Sequence, residues 1–226
     1  MPTPSLWEQT LTFFPQFVRE LDDRCAPGAT VTVIGASDGK FVLPLAEAGY
    51  HVIAVENDPQ ALHGGEVLLP VAGFAYAPSL AERVAEAGVT SQVRIEPHDF
   101  FDAALPDMQA DAVWTSCSWH YSANHRRPLR EFIGRMQDLL ALGGLFGAEF
   151  MMPIEDNHYL MEHYTTPDKL FRCFPCGTWE VLLTLRTDPF IERPHVGQLH
   201  DHTHRMGVFF AAKREHVDEG PELDEA

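Results

Sequence analysis

Apolar residues recur along this chain in two rhythms, and the alternation between them predicts a parallel sheet flanked by helices. Short runs rich in β-branched and aromatic residues, VTVIG, HVIAVE, QVRIE, DAVWTS and LFGAEFMM, have the length and composition of buried strands. Between them the apolar spacing changes to that of helices, near residues 39–48, 79–87, 126–141 and 166–173. Strands joined through helices return in the same direction, so the crossovers should be right-handed and the sheet parallel. Ahead of the first strand, Trp7, Phe14, Val18 and Leu21, widened by Phe13 and Phe17, predict an amphipathic helix that packs over the domain as lid or as core.

The rhythm breaks towards the end. WEVLLTLR and RMGVFFAAK are two strand runs joined only by the loop TDPFIERPHVGQLHDHTH, which has no helical period, so they should pair antiparallel. The final EHVDEGPELDEA is acidic and poor in apolar groups, which predicts a disordered tail. The expected organisation is a helical cap over residues 1–24, one α/β domain over 25–213 and the tail over 214–226, with no internal repeat.

Composition narrows the classes of partner. A chain of 226 residues suits one α/β domain with a full core. Sixteen Lys and Arg against 33 Asp and Glu give a net charge of -17, which repels phosphate backbones and anionic lipid, so neither nucleic acid nor a membrane is an expected partner. No apolar run approaches the roughly 18 residues of a membrane span. The start, MPTPSLWEQT, lacks the basic residues and apolar core of a secretory leader, so a cytoplasmic location is expected. Cys25, Cys117, Cys173 and Cys176 then read as free thiols. FRCFPCGTW has the spacing of half a zinc site, but without a second pair it reads as thiols in a helix-to-strand turn.

The stretch from Val31 to Asp58 carries the first chemical signal: a strand, a glycine turn, a helix and a second strand ending in acids. In a doubly wound sheet the first turn aims backbone N–H groups at a ligand, and the small residues Gly35, Ala36, Ser37 and Gly39 let that ligand approach. Glu56 or Asp58 could accept both hydroxyls of a ribose. The same pattern also occurs as a plain tight turn. Ser37 and Asp38 stand where a pyrophosphate would want glycine and no negative charge, whereas the sulfonium of S-adenosylmethionine brings no phosphate to repel. The antiparallel final pair also favours that cofactor over a dinucleotide.

On these residues the chain resembles the class I S-adenosylmethionine-dependent methyltransferases over about residues 30–213. The resemblance implies an α/β, Rossmann-like doubly wound sheet of seven strands, the last antiparallel. It implies cofactor contacts from Gly35, Ala36, Ser37 and Gly39, a ribose-binding acid at Glu56 with Asn57 beside it, and an adenine-contacting acid at Asp99 with Phe100. Ser116 opens TSCSWHY, the segment after the fourth strand. The end of the chain, from FRCFP through Trp179 to HVGQLHDHTHRMGVFFAAKR, is similar to the tellurite-resistance and related small-molecule methyltransferases. Val33 stands where the family usually has an acid and Ser37 where it has a central glycine; Asp38 is close enough to replace that acid, and Ser37 could donate to the cofactor's carboxylate.

Methyl transfer is an in-line displacement, so the protein must align the acceptor and, for a hydroxyl or ammonium, take a proton. His120 and Tyr121 follow the fourth strand directly and are the leading catalytic candidates, with His200 as a third. His200, His202 and His204 would share one face if they continued into the last strand, and imidazoles so placed, with His195 in the same loop, could share a metal ion. A merely polar hairpin face is the plainer reading, and no metal ligand is assigned. His158 and His163 could line the same cleft, and Glu149, if it points inward from the fifth strand, needs a partner. Residues 61–78 and the N-terminal aromatics could wall an apolar acceptor pocket or be ordinary helix and core. The expected function is S-adenosylmethionine-dependent methyl transfer to a small-molecule acceptor by a monomer or homodimer. The alternatives are a non-methylating enzyme that binds the same cofactor, and a histidine-rich metal-binding protein on this scaffold.

Overall fold

The computed structural model describes residues 4–214. Helix α1 (Phe14–Arg24) leads into β1 (Thr30–Ile34), α2 (Val42–Glu47) and β2 (His51–Val55). There follow α3 (Pro59–His63), the strands β3 (Gly65–Leu69) and β4 (Gly73–Ala77), α4 (Leu80–Glu86) and β5 (Val93–Glu96). The second half runs through β6 (Ala110–Ser116), α5 (Leu129–Asp138), β7 (Leu140–Met151), α6 (Pro167–Leu170), β8 (Trp179–Arg186), β9 (Phe190–Glu192), β10 (His202–His204) and β11 (Met206–Lys213).

Seven strands form the main sheet in the order β5-β2-β1-β6-β7-β11-β8. From β5 to β7 all pairs are parallel; β11 runs antiparallel to both β7 and β8. The sheet is the Rossmann-like one that the alternation and the resemblance predict. Successive residues of each central strand enter opposite cores: Val31 and Val33 of β1 pack on one face while Ile34 packs on the other, and Trp114 and Val113 of β6 divide in the same way. Both faces are therefore covered, which is why these strands read as continuous apolar runs. The chain runs outward from β1 through β2 to β5 on one side and from β6 to β7 on the other. The strand order thus reverses between β1 and β6, and the crevice beyond their carboxyl ends is where an open α/β sheet binds its ligand.

Three local differences from the sequence reading bear on the site. Helix α1 begins only at Phe14, with Pro15 in its first turn, so Trp7 lies on a separate segment rather than on the helix face. Residues 61–78 do not line the cavity: they end α3 and form a two-stranded ribbon of β3 and β4 outside the main sheet, with Ala61, Val67 and Ala77 buried but Val71 99% and Phe74 75% exposed. The supposed loop between β8 and β11 contains a second ribbon, β9 paired antiparallel with β10. The predicted acidic tail lies outside the described residues apart from its first, Arg214. All four cysteines are free, and among the described residues no helix is long and apolar enough to cross a membrane.

Candidate active site

A cavity of about 1140 Å³ opens beyond the carboxyl ends of β1, β2 and β6. Gly35, Ala36 and Ser37 form its floor. The Gly35 and Ala36 amides donate to the Val55 carbonyl at 3.0 and 3.1 Å, which ties the first loop to the end of β2. Gly35 has φ 73°, and a Cβ there would fall 2.8 Å from the Ser118 Cβ, so only glycine lets the turns after β1 and β6 approach. Ser37 occupies the left-handed region at φ 48°, a conformation that costs a non-glycine residue about 1 kcal/mol or more. Two hydrogen bonds offset that cost: its amide donates to Glu56 Oε2 at 2.6 Å, and its Oγ accepts from Trp7 Nε1 at 3.0 Å.

The left-handed turn at Ser37 sends the next two residues away from the cavity, which corrects two expectations. Asp38 is buried, accepts from Ser5 Oγ at 2.9 Å and from the Leu6 amide at 2.7 Å, and lies 3.7 Å from Arg83 Nη1. It anchors the N-terminus and does not line the cavity, so it cannot replace the acid missing at Val33. Gly39 does not line the cavity either; a Cβ on it would meet Leu80 Cδ1 at 2.9 Å, so its small size serves packing against α4.

The acids after β2 and β5 lie on the same wall. Glu56 is 7% exposed; its Oε1 accepts from the amides of Asn57 and Asp58, both at 2.8 Å, and its Oε2 from Ser37. Of the roughly four lone-pair sites of a carboxylate, about one is left for a ligand. Asn57 Nδ2 donates to Asp99 Oδ2 at 3.3 Å, and Asp99 Oδ1 caps the Phe101 amide at 2.9 Å. Phe100 is buried against Phe132, with ring centroids 5.1 Å apart, and still lines the cavity. Ser116 lines it too, with its hydroxyl committed to Glu149 Oε1 at 2.6 Å.

Glu149, on β7, is the buried carboxylate whose partner the sequence leaves open. Besides Ser116 it accepts from Thr12 Oγ1 at 2.9 Å and from the Phe13 amide at 2.6 Å. Burial pushes its pKa up against the pull of these donors and of the Lys40 ammonium. Lys40 Nζ reaches back to Thr10 Oγ1 at 2.7 Å, Arg83 Nη1 donates to the Pro4 carbonyl at 2.9 Å, and the Leu11 amide donates to Glu192 Oε1 at 3.2 Å. Residues 4–13 are therefore a strap laid across the mouth of the cavity, and Trp7, Thr10 and Leu11 face into it.

His120 and Tyr121 line the opposite side. Burial pulls the His120 imidazole down to about 4, so it is neutral at neutral pH, and its Nδ1 is buried without a hydrogen-bond partner. Tyr121 stands exposed at the rim, its ring 4.3 Å from that of His120. Cys117 is also left-handed, at φ 51°; burial, and then the nearby Glu149 charge, push its thiol pKa up, so it offers no thiolate nucleophile. His158 lines the cavity stacked on Tyr164 at 4.0 Å, whereas His163 is buried beside His125 and faces elsewhere.

The far wall is the ribbon of β9 and β10. Glu192 pairs directly with His202, and His204, two residues on, shares its face. A tight turn from His195 to Gln198, with Gly197 at φ 81°, folds His195 onto the same group. Glu192 Oε2 lies 3.5 Å from His195 Nε2, 3.6 Å from His202 Nε2 and 2.9 Å from His204 Nδ1. The histidine stripe does not run into the last strand, because Arg205 separates β10 from β11. His200 is exposed and off the cavity, and only its carbonyl takes part, accepting from His202 Nδ1 at 2.9 Å. That placement removes His200 as a catalytic candidate.

The sequence matches a family described as a methyltransferase domain over residues 32–146. No protein of curated function matches it in sequence. Several solved structures share the fold. YcgJ of Bacillus subtilis is 12% identical with a TM-score of 0.61, over 90% of this chain and 98% of that one. TehB of Haemophilus influenzae is 12% identical with a TM-score of 0.59, over 91% of this chain and 63% of that one. A Pyrococcus horikoshii protein described as an RNA methyltransferase is 15% identical with a TM-score of 0.57, over 94% and 90% of the two chains. With the family match covering half of its length and the sheet ending in an antiparallel strand, the chain belongs to the class I S-adenosylmethionine-dependent methyltransferases.

Proposed function

We propose that this methyltransferase moves the methyl group of S-adenosylmethionine to a small-molecule acceptor held inside the cavity. The observation that carries this reading is the strap: residues 4–13 cover the site, on a chain whose net charge of -17 repels a polynucleotide. The residues present fit the cofactor. The Gly35 turn is a cradle that a Cβ would close, and the wall from Glu56 to Asp99 supplies acceptors where a ribose and an adenine amine need them.

When bound, the cofactor supplies an electrophilic methyl group. Gly35 and Ala36, small and with their amides bound to Val55, would let its amino acid end approach the Ser37 hydroxyl, which still has a proton to donate. The remaining lone pair of Glu56 would accept from a ribose hydroxyl, and Asn57 would hold Asp99 towards the adenine. Phe100 would offer the base an apolar surface, and Ser116, held by Glu149, would lie between the cofactor and the acceptor. His120, neutral and with a free Nδ1, accepts a hydrogen bond or a proton from the acceptor, while Tyr121 closes the rim. With a pKa of about 4 the imidazole is a weak base, so it orients the acceptor more than it ionises it.

The test is to incubate the full chain with S-adenosylmethionine carrying a labelled methyl group and a cell extract divided into low-mass metabolites and RNA. After unreacted S-adenosylmethionine is separated, label should appear in a new low-mass species that does not form when the protein is omitted. Label confined to RNA would overturn the small-molecule assignment.

A further inference from the structure

We infer that Glu192, His195, His202 and His204 form a binding site for one divalent first-row transition ion on the acceptor side of the cavity. All four residues line the cavity, and none is needed for the cofactor contacts proposed above. Ligand atoms of Glu192, His202 and His204 all lie within 4.8 Å of one another, and His195 Nε2 joins them through Glu192 Oε2 and His202 Nε2. Four edges of the group are 2.9, 3.1, 3.5 and 3.6 Å, three of them to Glu192 Oε2 and the 3.1 Å edge between His195 and His202. A tetrahedral ion with metal–nitrogen bonds of ~2.0–2.1 Å places its ligands ~3.3–3.4 Å apart, so these four edges are close to those of a coordination shell.

Protonation points the same way. His195 Nδ1 donates to the Val196 carbonyl at 2.8 Å and His202 Nδ1 to the His200 carbonyl at 2.9 Å. With Nδ1 of each ring turned to a carbonyl, the two Nε2 atoms face each other across 3.1 Å beside a carboxylate, and in neutral rings both would carry lone pairs. Such a convergence of lone pairs calls for a cation between them. A single shared proton would satisfy only that one edge, whereas an ion of the kind imidazole favours would satisfy all four donors. The surroundings are also those of a metal site: the second ring nitrogens of His195 and His202 are held by backbone carbonyls, and Glu192 Oε1 is held by the Leu11 amide, which leaves Oε2 for the ion. The β9–β10 pairing sets Glu192, His202 and His204 on one face without any induced fit.

Because the cluster lines the acceptor cavity, an acceptor bearing an ionisable oxygen, a thiol or a ring nitrogen could add to the ion as a further ligand. That consequence alone rests on the methyl-transfer reading; the metal site does not.

The experiment uses the full chain, stripped with a chelator and titrated with Zn²⁺ by calorimetry and with Co²⁺ by visible absorption. The variants are Glu192→Gln, the double substitution His202→Ala with His204→Ala, and His200→Ala as control. Circular dichroism and S-adenosylhomocysteine binding are recorded for each. The expected result is one ion per chain with a four-coordinate Co²⁺ spectrum in the parent and in His200→Ala. Binding should be lost in the other two variants, with the dichroism unchanged. If one of them misfolds, the other decides. No stoichiometric binding by the parent, or binding that survives the double substitution, would overturn the site. Zinc binding without S-adenosylhomocysteine binding would support the metal site while refuting the account of the cofactor loop, and the reverse result would refute the metal site alone.

Discussion

Ser37 shows how one dihedral angle distributes the roles of its neighbours. Held left-handed by Trp7 and Glu56, it keeps Gly35 and Ala36 facing the cavity and turns Asp38 and Gly39 to the other side. His120 leads to a prediction at this scale. Its folded pKa, about 4, lies below the ordinary 6.5, and in the mechanism proposed above the neutral imidazole is the form that would accept from the substrate. The acid limb of kcat/KM attributable to His120 should therefore fall near pH 4 rather than near 6.5, and His120→Ala should lower turnover while leaving S-adenosylhomocysteine affinity unchanged. A fully active variant would remove His120 from the mechanism. The same shift makes the contribution of His120 to stability full above about pH 6.5 and lost as the pH falls through 4, because the unfolded chain takes up the proton first. The position of Glu56 at the end of a strand is legible from sequence because strand ends are. The outward turn of Asp38 is not, because it depends on the φ of Ser37. Glu192 is missed although it stands three residues before His195 in the loop that carries H-x-H, because only the β9–β10 pairing sets it opposite His202.

Among the elements, the strap and β7 are the coupled pair. Glu149 receives three donors, from Thr12, Phe13 and Ser116, and so joins the strap to the ends of two strands. In Glu149→Gln a single acceptor oxygen would face those donors, at a cost of about 1–3 kcal/mol. Amide exchange at Phe13 should quicken more than at Leu6, which Asp38 holds independently. Equal exchange before and after substitution would show that Glu149 does not anchor the strap. Further along β7, a Cβ on Gly147 would sit 2.3 Å from Phe17 Cδ2, so Gly147→Ala should lose about 1–3 kcal/mol through overpacking. A denaturation midpoint equal to that of the parent would contradict the close seating of α1. The main strands, the antiparallel last pair and the four predicted helices are legible because their apolar period is set by burial on the sheet. The β3–β4 ribbon is not, since Leu68, Phe74 and Tyr76 face outward and only Val67 and Ala77 are buried, so no apolar period marks it.

Over the whole molecule, strand order, strap and charge act together. The reversal between β1 and β6 makes the crevice, the strap forms part of its wall, and the net charge of -17 is a ground on which a small acceptor is proposed over a polynucleotide. The histidine ribbon gives the enclosed space a second chemical pole opposite Glu56. What joins these parts is the claim that Glu56, by linking the turns after β1 and β2, builds the cofactor half of the cavity. Its most direct test is calorimetric titration of the full chain and of Glu56→Ala with S-adenosylhomocysteine. The account predicts one molecule bound per chain, and an affinity lower in the variant by about 1–3 kcal/mol, roughly 5- to 150-fold. Equal affinity in the two proteins, or no binding by the parent chain, would contradict it.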